Sequence, residues 1–206
     1  MIDHYDWPGG REAMMRFGPA DGPVVAAALP LFEEANRTRA FLVTILRALA
    51  ARGIASALPD LPGQGESLVP TERATLTGMR AAFAAVPGDY TIAIRSGALL
   101  DAGERKGRWH LAPQPGTELV RELERVKQAG GSGDYAGNVL PAALIAELEA
   151  AEPSAARVVR LESDPNPADA KYPGAPQWRR AEPDNDPTLA ALLADDIAAW
   201  VRTCEG

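Results

Sequence analysis

The sequence predicts an α/β protein, a three-layer α/β/α sandwich on a mostly parallel sheet. Short apolar, β-branched runs alternate along the chain with segments of helical periodicity, and Gly and Pro mark the joints between them. The 206 residues are enough for one substantial core, so a single domain over 1–206 without an inserted cap is expected.

The first buried strand is 24-VVAAAL-29. After it, 36-NRTRAFLVTILRALAARG-53 reads as a helix with Phe41, Ile45, Leu46 and Leu49 on one side, Asn36 in place to cap it and Gly53 to end it. A short strand, 54-IASAL-58, runs into the turn-rich 59-PDLPGQGES-67, and a second helix spans about 71 to 86, entered through Thr71. The third strand, 90-YTIAI-94, turns within two residues into a small-residue helix starting near Gly97. Then come a strand at 108-RWHLA-112, a helix from about 116 to 129, and the Gly-rich, loop-like 130-GGSGDYAGNV-139. That glycine run follows a helix rather than a strand, which argues against a phosphate loop. Pro141 opens a further helix to about Ala151, 156-ARVVRLE-162 is a strand, 163-SDPNPADAKYPGAP-176 is a long loop, and 187 to 203 is a closing amphipathic helix.

Composition narrows the function classes. Lys and Arg total 21 against 28 Asp and Glu, a formal charge of −7 without a basic tract, which argues against a nucleic-acid-binding surface. There is no apolar stretch of membrane-spanning length, and the polar N-terminus, MIDHYDWPGGREAMM, does not read as a secretory signal. The expectation is a soluble, cytoplasmic protein. Cys204 alone excludes an intramolecular disulfide, and His4 and His110 are too few and too far apart for a helical zinc motif. Neither a metal nor another cofactor is expected.

Two turns carry the chemistry. The first, 60-DLPGQGES-67, follows a strand and resembles the acidic, glycine-spaced turn after the fourth strand of α/β-hydrolases. The second, 92-IAIRSGA-98, lies where such an enzyme shows its nucleophile, at an elbow flanked by small residues because the sharp turn brings backbone atoms close together. With Ser96 at the apex the flanks are Ile94 and Ala98; with Arg95 they are Ala93 and Gly97. Sterics favour Arg95. The hydrolase order also requires a histidine after the acid, and the sequence has none beyond His110. Asp164 resembles the triad acid by location but has no such histidine to orient.

Four segments carry a closer likeness: 30-PLFEEANRTR-39, 93-AIRSGALL-100, 109-WHLAPQPGTELVRELER-125 and 134-DYAGNVLPAALIAELEA-150. Their order and spacing resemble the exosortase A system-associated hydrolases of type 2, found in exopolysaccharide clusters, whose elbow bears Arg in a Gly-Leu-Arg-Leu-Gly pattern. Here Ala93 replaces the first elbow glycine, Ser96 an apolar residue, and Asn138 an aromatic.

Two function classes follow. In the first, a degenerate triad makes the protein a non-catalytic binder of a small molecule, an acylated sugar or a protein partner at an Arg95-centred pocket. Arg95 is expected to pair with Glu33 or Glu34, next to Asn36, with the amides of Leu31 or Phe32 and of Ser96 available as donors. Trp178, in 173-PGAPQWRRAEP-183, either anchors its loop or lids this cleft with Arg179 and Glu182 at the rim. In the second class, Ser96 is the nucleophile of an ester hydrolase or acyltransferase, with Glu33, Glu34 or His110 as an unconventional base. The sequence leaves ligand and oligomeric state unspecified.

Overall fold

The computed structural model describes residues 1–130, 134, 135 and 137–206. The loop reading of 131–133 and 136 lies outside the described residues. The strands are β1 (Ile2–Trp7), β2 (Gly10–Phe17), β3 (Val24–Ala28), β4 (Ala55–Pro59), β5 (Tyr90–Ile94), β6 (Gly107–Leu111), β7 (Arg157–Leu161) and β8 (Ala170–Tyr172). They form one sheet in the order β1-β2-β4-β3-β5-β6-β7-β8. The β1–β2 and β2–β4 pairs are antiparallel and the others parallel. The helices are α1 (Glu33–Ala51), α2 (Leu76–Ala85), α3 (Gly116–Gly130), α4 (Ala142–Glu149) and α5 (Pro187–Glu205). Both α3 and α4 lie in the β6–β7 connection.

Alternation along the strands divides the core in two. Val25, Ala27, Ile92, Ile94 and Trp109 join the cluster formed with α1 and α5. Ala26, Ala28 and Ala93 face the other way, into the cluster with α2, α3 and α4. Small side chains on that second face let its helices and the elbow approach the sheet closely. On the first face α1 buries Phe41, Leu42, Ile45, Leu46 and Leu49, each contributing roughly 1.5–3 kcal/mol.

Several sequence expectations are corrected. Helix α1 starts at Glu33 with Phe32 in the cap position, so Asn36 is an exposed residue inside the helix; Glu33 and Glu34 in the first turn favour that earlier start. Thr71 opens only a 3-10 turn, Thr71–Arg73, and the cap of α2 is Thr75, whose hydroxyl accepts from the Gly78 amide at 2.9 Å. The turn after β5 is a five-residue 3-10 turn, Arg95–Leu99, not an α-helix, so the helix start expected near Gly97 is not there. Residues 2–17 form a hairpin that the sequence reading omitted, and β8 lies within the segment read as loop.

Candidate functional site

In the sheet order the chain runs from β3 outward to β4, then returns to place β5 on the other side of β3. The carboxyl ends of β3 and β5 therefore flank a topological switch point, where open α/β sheets leave a crevice. Among the described residues three non-glycines have left-handed backbone: Phe32 (φ 59°), Arg95 (φ 54°) and Ala112 (φ 47°). Each follows one of the adjacent strands β3, β5 and β6. Strain of this kind costs about 1–3 kcal/mol per residue and collects at functional sites.

Arg95 sits at the apex of the turn after β5. Gly97 makes the turn feasible, because a Cβ there would lie 2.5 Å from the Leu29 carbonyl oxygen and 2.8 Å from that of Ala28. Ser96 is fully buried, and its Oγ accepts a hydrogen bond from the Leu31 amide at 2.9 Å. That bond ties the β3–α1 loop to the elbow. It also engages the Leu31 amide, which is thereby not presented to a ligand as an oxyanion donor.

The Arg95 guanidinium is held by two carboxylates. Nη2 donates to Glu122 on α3 at 3.1 and 3.2 Å, and Nε and Nη2 reach Glu34 at 3.4 and 3.5 Å. Glu33 turns away and pairs with Arg37. Burial pushes the Glu34 carboxyl above its ordinary range, and the adjacent Arg95 opposes this only in part. Glu122 also accepts from the Gln114 amide at 2.7 Å, while the Gln114 backbone amide donates to the Arg95 carbonyl at 3.4 Å. Trp178 is buried under the guanidinium, its ring centre 5.5 Å from Arg95 Cζ, and its carbonyl accepts from Arg37 at 3.4 Å.

Arg95, Asp164 and Trp178 line one cavity of about 680 Å³, with prolines 113, 115 and 153 in its walls. Arg179 lines it and Glu182 does not. Asp164 is bound to Arg160 at 2.6 Å; burial raises its pKa, but the Asn166 amide and Arg160 outweigh that and hold it below the ordinary value. Phe32, Glu33 and Asn36 line a separate cavity of about 540 Å³ over the 60–67 turn, where Arg39 pairs with Asp60 at 3.1 Å. Gly65 lies against this aspartate: with φ 61°, a Cβ there would be 2.2 Å from Asp60 Oδ1. Among the described residues no group of three or more His, Cys, Asp or Glu is placed to hold a metal ion, and no helix is long and apolar enough to cross a membrane.

Sequence reasoning thus named residues of two neighbouring cavities, with Leu31 and Ser96 buried between their loops. It missed Glu122, Gln114 and Arg160. Glu122 lies one helical turn beyond Glu118 and reads as a solvated helix charge. The one available signal was Gln114, a polar residue between Pro113 and Pro115 directly after a buried strand.

The sheet order, the elbow and the crevice at the switch point define the α/β-hydrolase fold. Solved structures share it over nearly their whole length. A thermophilic esterase from Thermogutta terrifontis, with malate bound, has TM-score 0.58 at 13% identity, covering 100% of both chains. Est1E from Butyrivibrio proteoclasticus, with ferulic acid bound, has TM-score 0.57 at 13% identity, covering 98% of each chain. The bottromycin epimerase BotH, in complex with bottromycin A2, has TM-score 0.57 at 14% identity, covering 96% of this chain and 98% of that one. At such identities the likeness shows the fold alone. No protein-family model and no curated protein matches the chain.

Proposed function

We propose that this α/β-hydrolase-fold protein has a degenerate triad and acts as a non-catalytic binder, taking a small or acylated ligand in the Arg95 cavity. One observation carries the reading: the apex with φ 54° is Arg95, while the neighbouring Ser96 is fully buried with its hydroxyl engaged by the Leu31 amide. A nucleophile needs both access and a base to take its proton. An arginine held by two glutamates and stacked on a tryptophan is instead a rigid recognition group. An epimerase and an esterase on this fold also illustrate that the architecture does not dictate the reaction.

The test is turnover of short-chain p-nitrophenyl esters. The expected rate equals the buffer blank. A rate abolished by Ser96→Ala and retained in Arg95→Ala would overturn the proposal in favour of a serine hydrolase or acyltransferase.

The order of the segments at 30–39, 93–100, 109–125 and 134–150 supports a role beside exosortase-type exopolysaccharide systems, with an acylated sugar or a protein as the ligand. A map of neighbouring genes checks this. Flanking exosortase and polysaccharide genes are expected, and their absence across several genomes would contradict it.

A further inference from the structure

The Arg95 cavity has a floor that the elbow residues do not explain. His110, on β6, lines it from the sheet side and is fully buried. Neither of its ring nitrogens has a hydrogen-bond partner among the described residues. Of the buried side-chain polar atoms in that condition, only those of His110 belong to a residue lining this cavity. The nearest charge is Asp101, whose Oδ2 lies 3.9 Å from Nε2, beyond hydrogen-bond length, and 3.0 Å from Arg108 Nε.

Among the other charged groups on the lining, Glu118 and Arg179 have no ion-pair partner among the described residues, and as one acid and one base they leave the lining balanced. Arg95 is held by Glu34 and Glu122, and Arg160 by Asp164. A buried polar group without a partner costs about 1–3 kcal/mol, so a ligand's polar group that reaches the His110 ring, which lies beneath the cavity surface, relieves that cost.

We propose that the cavity recognises a neutral, hydroxyl-bearing molecule with an apolar body, and that its hydroxyl bonds the His110 imidazole. This rests on reading the Arg95 cavity as the ligand site. A neutral imidazole presents a donor at one nitrogen and an acceptor at the other, and a hydroxyl, which can do either, can bond whichever nitrogen it reaches. A carboxylate can only accept, and the lining sets Arg95, Arg160 and Arg179 against Glu118, Glu122 and Asp164, so it offers no net positive charge to offset the desolvation of an anion. An ammonium can only donate, and it loses more hydration on entering walls of proline, alanine and tryptophan. The apolar body packs against Pro113, Pro153, Val158 and Trp178.

The sequence makes the test clean, because the chain has two histidines and His4 is exposed on β1. Imidazole NMR signals of the full chain are followed while benzyl alcohol, benzoate and benzylamine are titrated in turn; His110→Gln assigns the pair. Benzyl alcohol is expected to shift the His110 ring and leave His4 unmoved, with benzoate and benzylamine binding about tenfold more weakly. His110→Gln, if folded by circular dichroism, should bind benzyl alcohol about tenfold more weakly. The inference is overturned if the wild-type His110 ring is silent to benzyl alcohol, or if benzoate or benzylamine binds as tightly. The ester assay separates the two claims: Ser96-dependent turnover sinks the non-catalytic reading whatever His110 does. A silent His110 without turnover sinks only the hydroxyl contact.

Discussion

Trp109 and His110 are neighbours on β6 that face opposite sides of the sheet, Trp109 toward the half-buried Asp196 and His110 toward the buried Asp101. On the α5 side, Asp196 accepts from Trp109 Nε1 at 2.7 Å, from Arg157 at 2.7 and 3.1 Å, and from the Tyr172 hydroxyl at 2.9 Å. On the other side, Asp101 is ion-paired with Arg108 at 3.0 Å but accepts no well-aligned hydrogen bond on either carboxylate oxygen among the described residues, and His110 has no partner for either nitrogen. One strand thus carries a saturated polar anchor on one face and an unsatisfied polar pair on the other. The anchor fastens α5 to β6, β7 and β8; the unsatisfied pair adjoins the cavity. Full satisfaction serves rigidity, and what is left unsatisfied is available for binding.

Removing each aspartate gives the sharpest contrast. Asp196→Ala strands Arg157 and the Trp109 indole N–H and is expected to cost about 3–5 kcal/mol in urea unfolding. Asp101→Ala breaks one ion pair, to the partly exposed Arg108, and no further side-chain hydrogen bond, so it should cost no more than about half of that. Equal losses would erase the distinction. The anchor also predicts acid sensitivity. Burial raises the Asp196 pKa, but Arg157, Trp109 and Tyr172 outweigh it and hold the group below its ordinary 3.8. Its contribution is therefore present above that value and lost as pH falls through the depressed one, and Asp196→Asn should flatten the acid limb of the stability curve.

A smaller effect is expected at the crest of the sheet. Ser96→Ala leaves the Leu31 amide without its acceptor in a buried setting, and should lower stability by about 1–3 kcal/mol. A neutral result would mean that the β3–α1 loop does not depend on this tie.

Smallest is the response at Glu34, whose sign is opposite to that of Asp196. Its folded pKa is raised above the ordinary 4.5, so the associated stability is present below that value and lost as pH rises through the raised one. Glu34→Gln, with Glu122 still on Arg95, should therefore gain in melting temperature relative to the parent as pH rises from about 4 to 7. A constant difference across that range would contradict the burial argument.

The same contrast explains what could be read from sequence. The inner strands and α1, α3 and α5 were legible because deep burial writes continuous apolar runs and helical stripes. The hairpin of β1 and β2 was not, because in β1 the burial alternates but the residue types do not follow it: the apolar Ile2 is exposed and the polar Asp3 is on the inward side with Tyr5. Three-residue β8 was too short to stand out from its polar surroundings. At the elbow, Ala93 and Gly97 pointed to Arg95 through sterics, which are local. The partners Glu122 and Gln114 come from a different βα unit, and their proximity is a product of the parallel sheet rather than of any nearby pattern.

The central claim is that the elbow presents an arginine and not a nucleophile. Incubating the full chain with a fluorophosphonate and weighing it by intact-mass spectrometry tests this most directly. The account predicts an unchanged mass, whereas a stoichiometric phosphonyl adduct mapped to Ser96 would contradict it.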